Sequence, residues 1–358
     1  MHLRSLTVRD FRCYDESHFE FSPGINFIYG LNARGKTTLL EAIYLLMTGR
    51  SFRALQLKDL IRTDAPLFHV EAQFIKHEIE QLLKFSYNGQ ERRIAHNSST
   101  SSLTSSLLGI LQGVTLTPDD AGLIKGSPAG RRHFLDLQIA QVDPLYVHHL
   151  TRYQKAMRQR NVLLKAKSCN SIEGWEIELA NSGAYIIQQR RRVTEELQIH
   201  IRELHRAVHE SDESFEIRYR STVDAGAVAS IDEIRRYLIE QYRRLRTREL
   251  MLGSTLVGPH KDDLEISLQR KDARYFASEG QQRSCVITLR LAEWTRLKQF
   301  SIECPLMLLD DVGMSLDVGR RARLFDHLQQ LGQVFITSTD EIPMQNNSKE
   351  IRSIYINP

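Results

Sequence analysis

The segment Gly30-Leu31-Asn32-Ala33-Arg34-Gly35-Lys36-Thr37 has the spacing G-x-x-x-x-G-K-[ST]. Gly30 and Gly35 permit backbone N–H groups to wrap closely around phosphate oxygens, and a helix opening at Lys36 adds its positive dipole end. Lys36 is then set to reach the β- and γ-phosphates of a nucleotide, and the Thr37 hydroxyl to coordinate Mg²⁺. Such a site also needs a carboxylate at the end of a buried strand. Pro305-Leu306-Met307-Leu308-Leu309-Asp310-Asp311 supplies it, with four apolar residues directly before the first acid. Asp310 is the expected metal ligand, directly or through water, and Asp311 the group that orients or deprotonates an attacking water. Lys36 and Asp311 are thus the catalytic pair, and Thr37 and Asp310 the metal pair.

A third stretch, Ala277-Ser278-Glu279-Gly280-Gln281-Gln282-Arg283, resembles the LSGGQ signature of ABC-type ATPases. A helical pattern follows it, with Val286, Leu289, Leu291 and Trp294 in its apolar set. In those ATPases this segment contacts the γ-phosphate held by a second subunit. The resemblance implies that Ser278, Gly280 and Gln281 meet ATP across a two-fold dimer with two nucleotides at its interface.

Elements must hold these residues in place. Leu3, Leu6 and Val8, then Phe19 and Phe21, predict two strands, and Ser22-Pro23-Gly24 a turn. Residues 25–29 read as a short strand ending at Gly30. From Lys36 the period turns helical, with Leu39, Leu40, Ile43, Leu46 and Met47 on one face and Gly49 as the stop. Residues 68–75 and 82–87 read as strands, and the polar stretch 97–106 as a loop. The middle is helical. Asp143-Pro144 is a start signal, and a ladder runs Ile177, Ala180, Ala184, Ile187, Arg191, Thr194, Leu197, Ile201, Leu204, Val208. At 1.5 Å per residue that helix reaches roughly 50 Å. The pattern fits an ordinary helical bundle and a short coiled-coil-like arm equally. A further helix carries Ile231, Ile234, Leu238, Tyr242 and Leu245. After Gly253 strands return, at 264–268, 305–309 and 334–336. The expected architecture is an α/β ATPase head in two parts, 1–108 and 253–358, interrupted by a helical lobe at 109–252.

Composition bounds the reading. With 358 residues, 41% hydrophobic, the chain is too long for one ordinary domain and too apolar for a disordered one. No run approaches the roughly 18–20 apolar residues that span a bilayer. The N-terminus lacks the look of a secretory signal. Cys13, Cys169, Cys285 and Cys304 are too scattered for a CxxC metal site, and a cytoplasmic location is expected. The formal charge of +4 falls wholly within residues 151–250, where 19 Lys+Arg face 15 Asp+Glu. Its clusters are Arg190-Arg191-Arg192, Arg235-Arg236, and Arg243, Arg244, Arg246 and Arg248. They fit a solvated helix face or a nucleic-acid contact surface.

Further blocks resemble the RecF family in order along the chain. They are Gly49–Arg53, Pro118–Asp119 through Gly126–Pro128, Arg131–Asp136, Thr255–Leu264, Phe276–Arg283 and Val334–Asp340. This resemblance implies an SMC-like, ABC-type ATPase of DNA replication and recombinational repair. It implies an ATP-dependent homodimer with slow, DNA-stimulated hydrolysis, binding DNA (duplex, gapped or single-stranded) at single-strand gaps. By the same resemblance the partners are RecO and RecR, helping RecA replace single-strand-binding protein, with no membrane partner. The loop Gly313-Met314-Ser315-Leu316-Asp317 corresponds to the family's dimer-contacting D-loop. Ala33 departs from the family's usual Gly, and Met314-Ser315 from its Ser-Glu, so Asp317 is the D-loop residue carried over. Gln73 is a candidate for the Q-loop glutamine. Thr339-Asp340 stands where transporter ATPases have a switch His, which with the Arg-rich insertion argues against a transporter. A long-armed SMC head needs far more helix, and a GTPase needs an N-K-x-D segment that is absent. Asp311, one methylene shorter than the Glu of many ABC sites, predicts slow turnover.

Overall fold

The computed structural model describes residues 1–168, 170–209, 213–223, 230–311, 318–339 and 351–356. In chain order its elements begin with β1 (His2–Phe11), β2 (Tyr14–Glu20), β3 (Ile25–Tyr29), α1 (Lys36–Thr48), β4 (Phe68–Lys76), β5 (Ile79–Tyr87), β6 (Arg92–His96), β7 (Ser99–Ser101) and β8 (Gly113–Leu116). Next come α2 (Gly122–Lys125), α3 (Pro128–Ala140), α4 (Pro144–Lys165), α5 (Ile172–His209), β9 (Phe215–Arg220) and α6 (Ile231–Leu252). The chain continues with β10 (Asp263–Leu268), β11 (Lys271–Asp272), α7 (Ala273–Phe276), α8 (Glu279–Phe300), β12 (Leu306–Leu309), α9 (Val318–Leu328), β13 (Val334–Ser338) and β14 (Ile351–Tyr355).

Two compact units emerge. The first comprises 1–120, 203–212 and 283–358, and the second 121–202 and 213–282. The segment 253–282, assigned to the head on sequence grounds, therefore counts with the helical unit.

In the first unit a six-stranded antiparallel sheet has the order β2-β1-β4-β5-β6-β7, and a five-stranded sheet the order β14-β3-β13-β12-β8. Every pairing in the second sheet is parallel. β3, β8, β12 and β13 are buried almost throughout, and β12 is Leu-Met-Leu-Leu, whereas the edge strand β14 exposes Arg352, Ser353 and Tyr355. Leu39, Leu40, Ile43 and Leu46 of α1 join one core cluster with Leu3, Leu6 and Val8 of β1 and Phe68, Val70 and Phe74 of β4. The helix stops where Gly49 turns left-handed (φ 69°) and its N–H returns to the Leu45 carbonyl at 2.7 Å.

The stretch 97–106 is not a free loop. Asn97, at φ 51°, turns the chain so that β7 pairs antiparallel with β6, and a 3₁₀ turn follows at Thr104–Ser106. Asn97 Oδ1 also accepts from the Leu82 N–H at 2.9 Å. Its Ser and Thr side chains suit an exposed edge strand, which hydrophobic periodicity does not mark.

The second unit packs helices α2–α7 with a three-stranded sheet, β11-β10-β9. Asp143 caps α4, accepting from the Tyr146 N–H at 3.1 Å, and Ser230 with Glu233 forms a capping box on α6. α5 has 38 residues, about 57 Å of helix. Its stripe departs from the expected ladder at the start: Ile177 is exposed and Glu176 is buried instead. The cause is Arg160 of α4, fully buried, whose guanidinium donates to Glu176 at 2.9 Å and to Glu249 of α6 at 2.5 Å.

Candidate functional site

The parallel sheet gathers its C-terminal strand ends at one edge, where α/β proteins bind ligands. β3 ends at Tyr29 and runs into the 30–37 loop; β12 ends at Leu309, before Asp310 and Asp311; β13 carries Thr337 in its last turn of pairing. A cavity of about 670 Å³ opens there. Asn32, Ala33, Gly35, Lys36, Thr37, Asp311 and Thr337 line it.

The loop geometry explains its residue types. Gly30 has φ 147°, and a Cβ there would lie 2.7 Å from the Ile356 carbonyl oxygen. Gly35 has φ 107°, and a Cβ would lie 2.7 Å from the Tyr14 hydroxyl. Ala33, the departure from the family pattern, takes a left-handed φ of 62°, which costs an L-residue about 1–2 kcal/mol. Leu31 is exposed at the tip, beside exposed Asn32, Ala33 and Arg34. Lys36 is buried, and its ammonium donates to the carbonyls of Gly30 (2.6 Å) and Leu31 (2.9 Å), bridging the mouth of the loop.

Asp310 is the hub. Its Oδ1 accepts from the Thr37 hydroxyl at 2.9 Å and from the Thr337 hydroxyl at 2.8 Å. Burial pushes its carboxyl above the usual carboxylate range; the two hydroxyl donors act in the opposite sense, more weakly. Thr337 Oγ1 in turn accepts from the Asp311 N–H at 2.9 Å, holding Asp311 at a left-handed φ of 51° with its side chain at the cavity. Thr37 and Asp310 thus present adjacent oxygens that could hold a divalent cation. Among the described residues no group of three or more His, Cys, Asp and Glu side chains gathers into a metal cage. The donor set instead suits Mg²⁺, which keeps one or two protein oxygens and takes the rest from phosphate and water.

Sequence reasoning missed several residues here. Thr337 locks both acids, and the rule that ligands meet the C-terminal ends of parallel strands could have found it. Arg12, left-handed at φ 55°, lines the cavity and is clamped by Glu41 of α1 at 2.8 and 3.1 Å. Ser51 donates to the same buried carboxylate. Arg53, Asp59, Ile61 and Thr63 complete the wall. Ser51 and Arg53 fall within the Gly49–Arg53 block that resembles the family, and no local pattern announces the others. Gln73 stands exposed in β4 and is not among the lining residues.

The signature stretch lies in the second unit. The Ser278 N–H donates to Gln281 Oε1 at 2.8 Å and the Gln281 N–H to Ser278 Oγ at 3.3 Å, a reciprocal cap at the start of α8. Gln281 Nε2 also donates to Glu213 at 2.6 Å. Ser278 and Gly280 are exposed. Its Oγ accepts within the cap, so the hydroxyl proton remains to be offered to an anion. Asp317, with the rest of 313–317, and Asp340 lie outside the described residues.

The basic clusters divide. Arg190 is buried and donates to Asp136, to the Tyr146 hydroxyl and to the Pro259 carbonyl. Arg246 is held by Glu176 at 2.5 Å. Arg190 thus serves the unit's interior, and Arg246 is half-buried and paired. Arg192, Arg236, Arg243, Arg244 and Arg248 are exposed.

Comparison with known proteins gives the family. The family described as RecF/RecN/SMC N terminal domain matches residues 2–357. A DNA replication and repair protein RecF of Protochlamydia amoebophila is 52% identical over 95% of this chain and 94% of its own. One from Halalkalibacterium halodurans is 34% identical over 99% and 97%. A solved structure of the recombination mediator protein RecF with ATP, in the RecFOR pathway, superposes with a TM-score of 0.91 at 32% identity, covering 99% of this chain and 95% of that one. The Smc head domain of Pyrococcus furiosus, 17% identical with a TM-score of 0.54, shares the fold. No helix among the described residues is long and apolar enough to cross a membrane. The chain belongs to the RecF family of ABC/SMC-type ATPases.

Proposed function

We propose that this chain is an ATP-driven, DNA-binding switch of replication and recombinational repair. The observation that carries the reading is the Thr37–Asp310–Thr337 hydrogen-bond set at the mouth of the 30–37 loop, together with the ATP complex of a relative. Backbone amides of Gly30–Thr37 and the N-terminus of α1 receive the phosphates. Lys36 exchanges two carbonyl acceptors for phosphate oxygens, which are stronger partners for an ammonium. Thr37 and Asp310 hold Mg²⁺, which when bound neutralises charge building on the β- and γ-phosphates. Asp311, fixed through its own N–H, orients the attacking water or accepts its proton.

Ser278, with Gly280 and Gln281, completes this site on a second copy, and Asp317 of the loop after Asp311 contacts that copy. ATP so closes a homodimer, and the short reach of Asp311 keeps hydrolysis slow, to be accelerated by DNA. The exposed arginines of α6 meet duplex, gapped or single-stranded DNA. RecO and RecR are the partners at single-strand gaps, where RecA is loaded, in the cytoplasm. Light scattering with ATP, ADP and no nucleotide tests the core of this. A dimer is expected with ATP and monomers in the other two conditions and for Lys36→Ala; a wild-type protein that stays monomeric at micromolar concentration with ATP refutes the switch.

A further inference from the structure

The N-cap residue of α1 is Gly35, at φ 107° and ψ 0°, and it has no side chain to hold the first turn. Glycine is also the residue whose own sterics fix its peptide plane least. The plane between Gly35 and Lys36 nevertheless has to keep one orientation, because in a trans peptide the carbonyl and the following N–H point opposite ways. With the Gly35 carbonyl turned inward along α1, the Lys36 N–H points off the helix end, toward an anion in the cavity that both residues line. Two donors fix that carbonyl. One is the Leu39 N–H at 2.9 Å, the first bond of the helix, and the other is the Tyr14 hydroxyl at 3.1 Å.

Tyr14 belongs to β2, outside the loop, and is 8% exposed, with its ring edge-on to Phe19 at 5.6 Å between centroids. Burial, with Cys13 adding to it, pushes its pKa up, so the hydroxyl keeps its proton and donates at any working pH. It is delivered from a braced turn. Phe11 pairs with Tyr14 across Arg12-Cys13, the Arg12 N–H donates to the Leu60 carbonyl at 2.8 Å, and the Arg62 N–H donates to the Asp10 carbonyl at 2.9 Å. Contact with the loop is close: a Cβ on Gly35 would lie 2.8 Å from Tyr14 Cζ and 3.0 Å from Cys13 Sγ. We infer that Tyr14 is a positioning residue for the nucleotide, whose hydroxyl locks the Gly35–Lys36 peptide with its N–H toward the phosphates. The inference rests on the ATP reading above. A loop set before the ligand arrives spares the binding step the cost of ordering it. The loop backbone cradles the α- and β-phosphates, which ATP and ADP share, so the hydroxyl serves both alike. It touches no reacting atom and therefore contributes to binding and not to the hydrolytic step.

The test compares wild type with Tyr14→Phe, which keeps the ring and removes only the donor. By calorimetry the dissociation constants for ATP and ADP are both expected to rise about two- to tenfold, the range of one hydrogen bond. The KM for ATP should rise alike, with kcat unchanged. Phe19→Leu loosens the packing and leaves the hydroxyl, so it is expected to lower the melting temperature at wild-type nucleotide affinity. Should Tyr14→Phe fold poorly by circular dichroism, Tyr14→4-fluorophenylalanine decides, since it fills the volume of tyrosine and cannot donate. Wild-type affinity in the donor-free variant that folds overturns the inference, whether or not its melting temperature falls. Equal weakening by Phe19→Leu overturns it as well, because affinity would then follow stability and not the hydroxyl, and so does a fall in kcat at unchanged KM. A wild type that binds neither nucleotide refutes the ATP reading itself, whereas a wild type matched by its donor-free variant leaves that reading standing and removes only the role of Tyr14.

Discussion

Asp310 carries the cost of the site before any ligand arrives. Its carboxyl is raised above the ordinary range chiefly by burial. A folded-state pKa above the unfolded one means the native protein holds its proton more tightly than the unfolded chain. The favourable contribution is therefore full at acid pH and is lost as pH rises through the folded pKa. At neutral pH the ionised Asp310 works against folding until a cation joins it. Asp310→Asn keeps an oxygen to accept from Thr37 and Thr337, so it is expected to raise the melting temperature of the nucleotide-free protein at pH 7–8. The gain should shrink as pH falls toward the carboxylate range, while Mg²⁺-dependent ATP affinity drops. A melting series across pH checks the first part and calorimetry the second; an Asn variant less stable than wild type at neutral pH contradicts the assignment. Local spacing revealed Lys36, Thr37 and Asp310, because each sits at a fixed offset from a glycine or an apolar run. Local spacing marks neither Thr337 nor Arg12, because they reach the cavity through sheet pairing and a hairpin turn, and only the strand-end rule points to Thr337.

At the scale of elements, the strands and helices with clean periodicity, β3, α1 and β12, are those the sequence displays openly. The start of α5 is different. Its pattern favours Ile177 inside, yet Glu176 is drawn in by Arg160, which ties α4, α5 and α6 together through Glu176 and Glu249. Arg160 also donates to Thr255 at 2.9 Å and lies over the Tyr242 ring at 5.0 Å. A buried guanidinium shared by two carboxylates is costly to assemble, and removing it leaves buried Glu249 without a cation and Glu176 with Arg246 alone. Arg160→Leu is expected to destabilise the protein by about 3–5 kcal/mol, the scale for breaking a buried ion pair. Urea unfolding followed by helical circular dichroism measures this. A loss below about 1 kcal/mol, the value of an exposed pair, would show that the triad does not hold these helices.

For the whole molecule, the net charge of +4 lies in the middle of the sequence, but the structure withdraws part of it from the surface. Arg160 and Arg190 are buried, and Arg246 is held by Glu173 and Glu176. What remains outward on α6 includes Arg243, Arg244 and Arg248. A run of arginines in sequence therefore mixes two roles, and only burial separates them. If the outward set meets DNA, each phosphate contact releases counterions, and the slope of log K against log salt reports their number. Replacing Arg243, Arg244 and Arg248 together by Ala should flatten that slope by roughly 2–3 for duplex DNA, at about 0.9 per contact. The ATP-dependent dimer should survive, because none of the three lines the nucleotide cavity. Arg190→Ala gives the contrasting case: it leaves Asp136 without its guanidinium, so its effect is expected on the melting temperature rather than on the slope. An unchanged slope in the triple variant would move the DNA surface away from α6, and a shallower slope in Arg190→Ala without loss of stability would undo the division between inner and outer arginines.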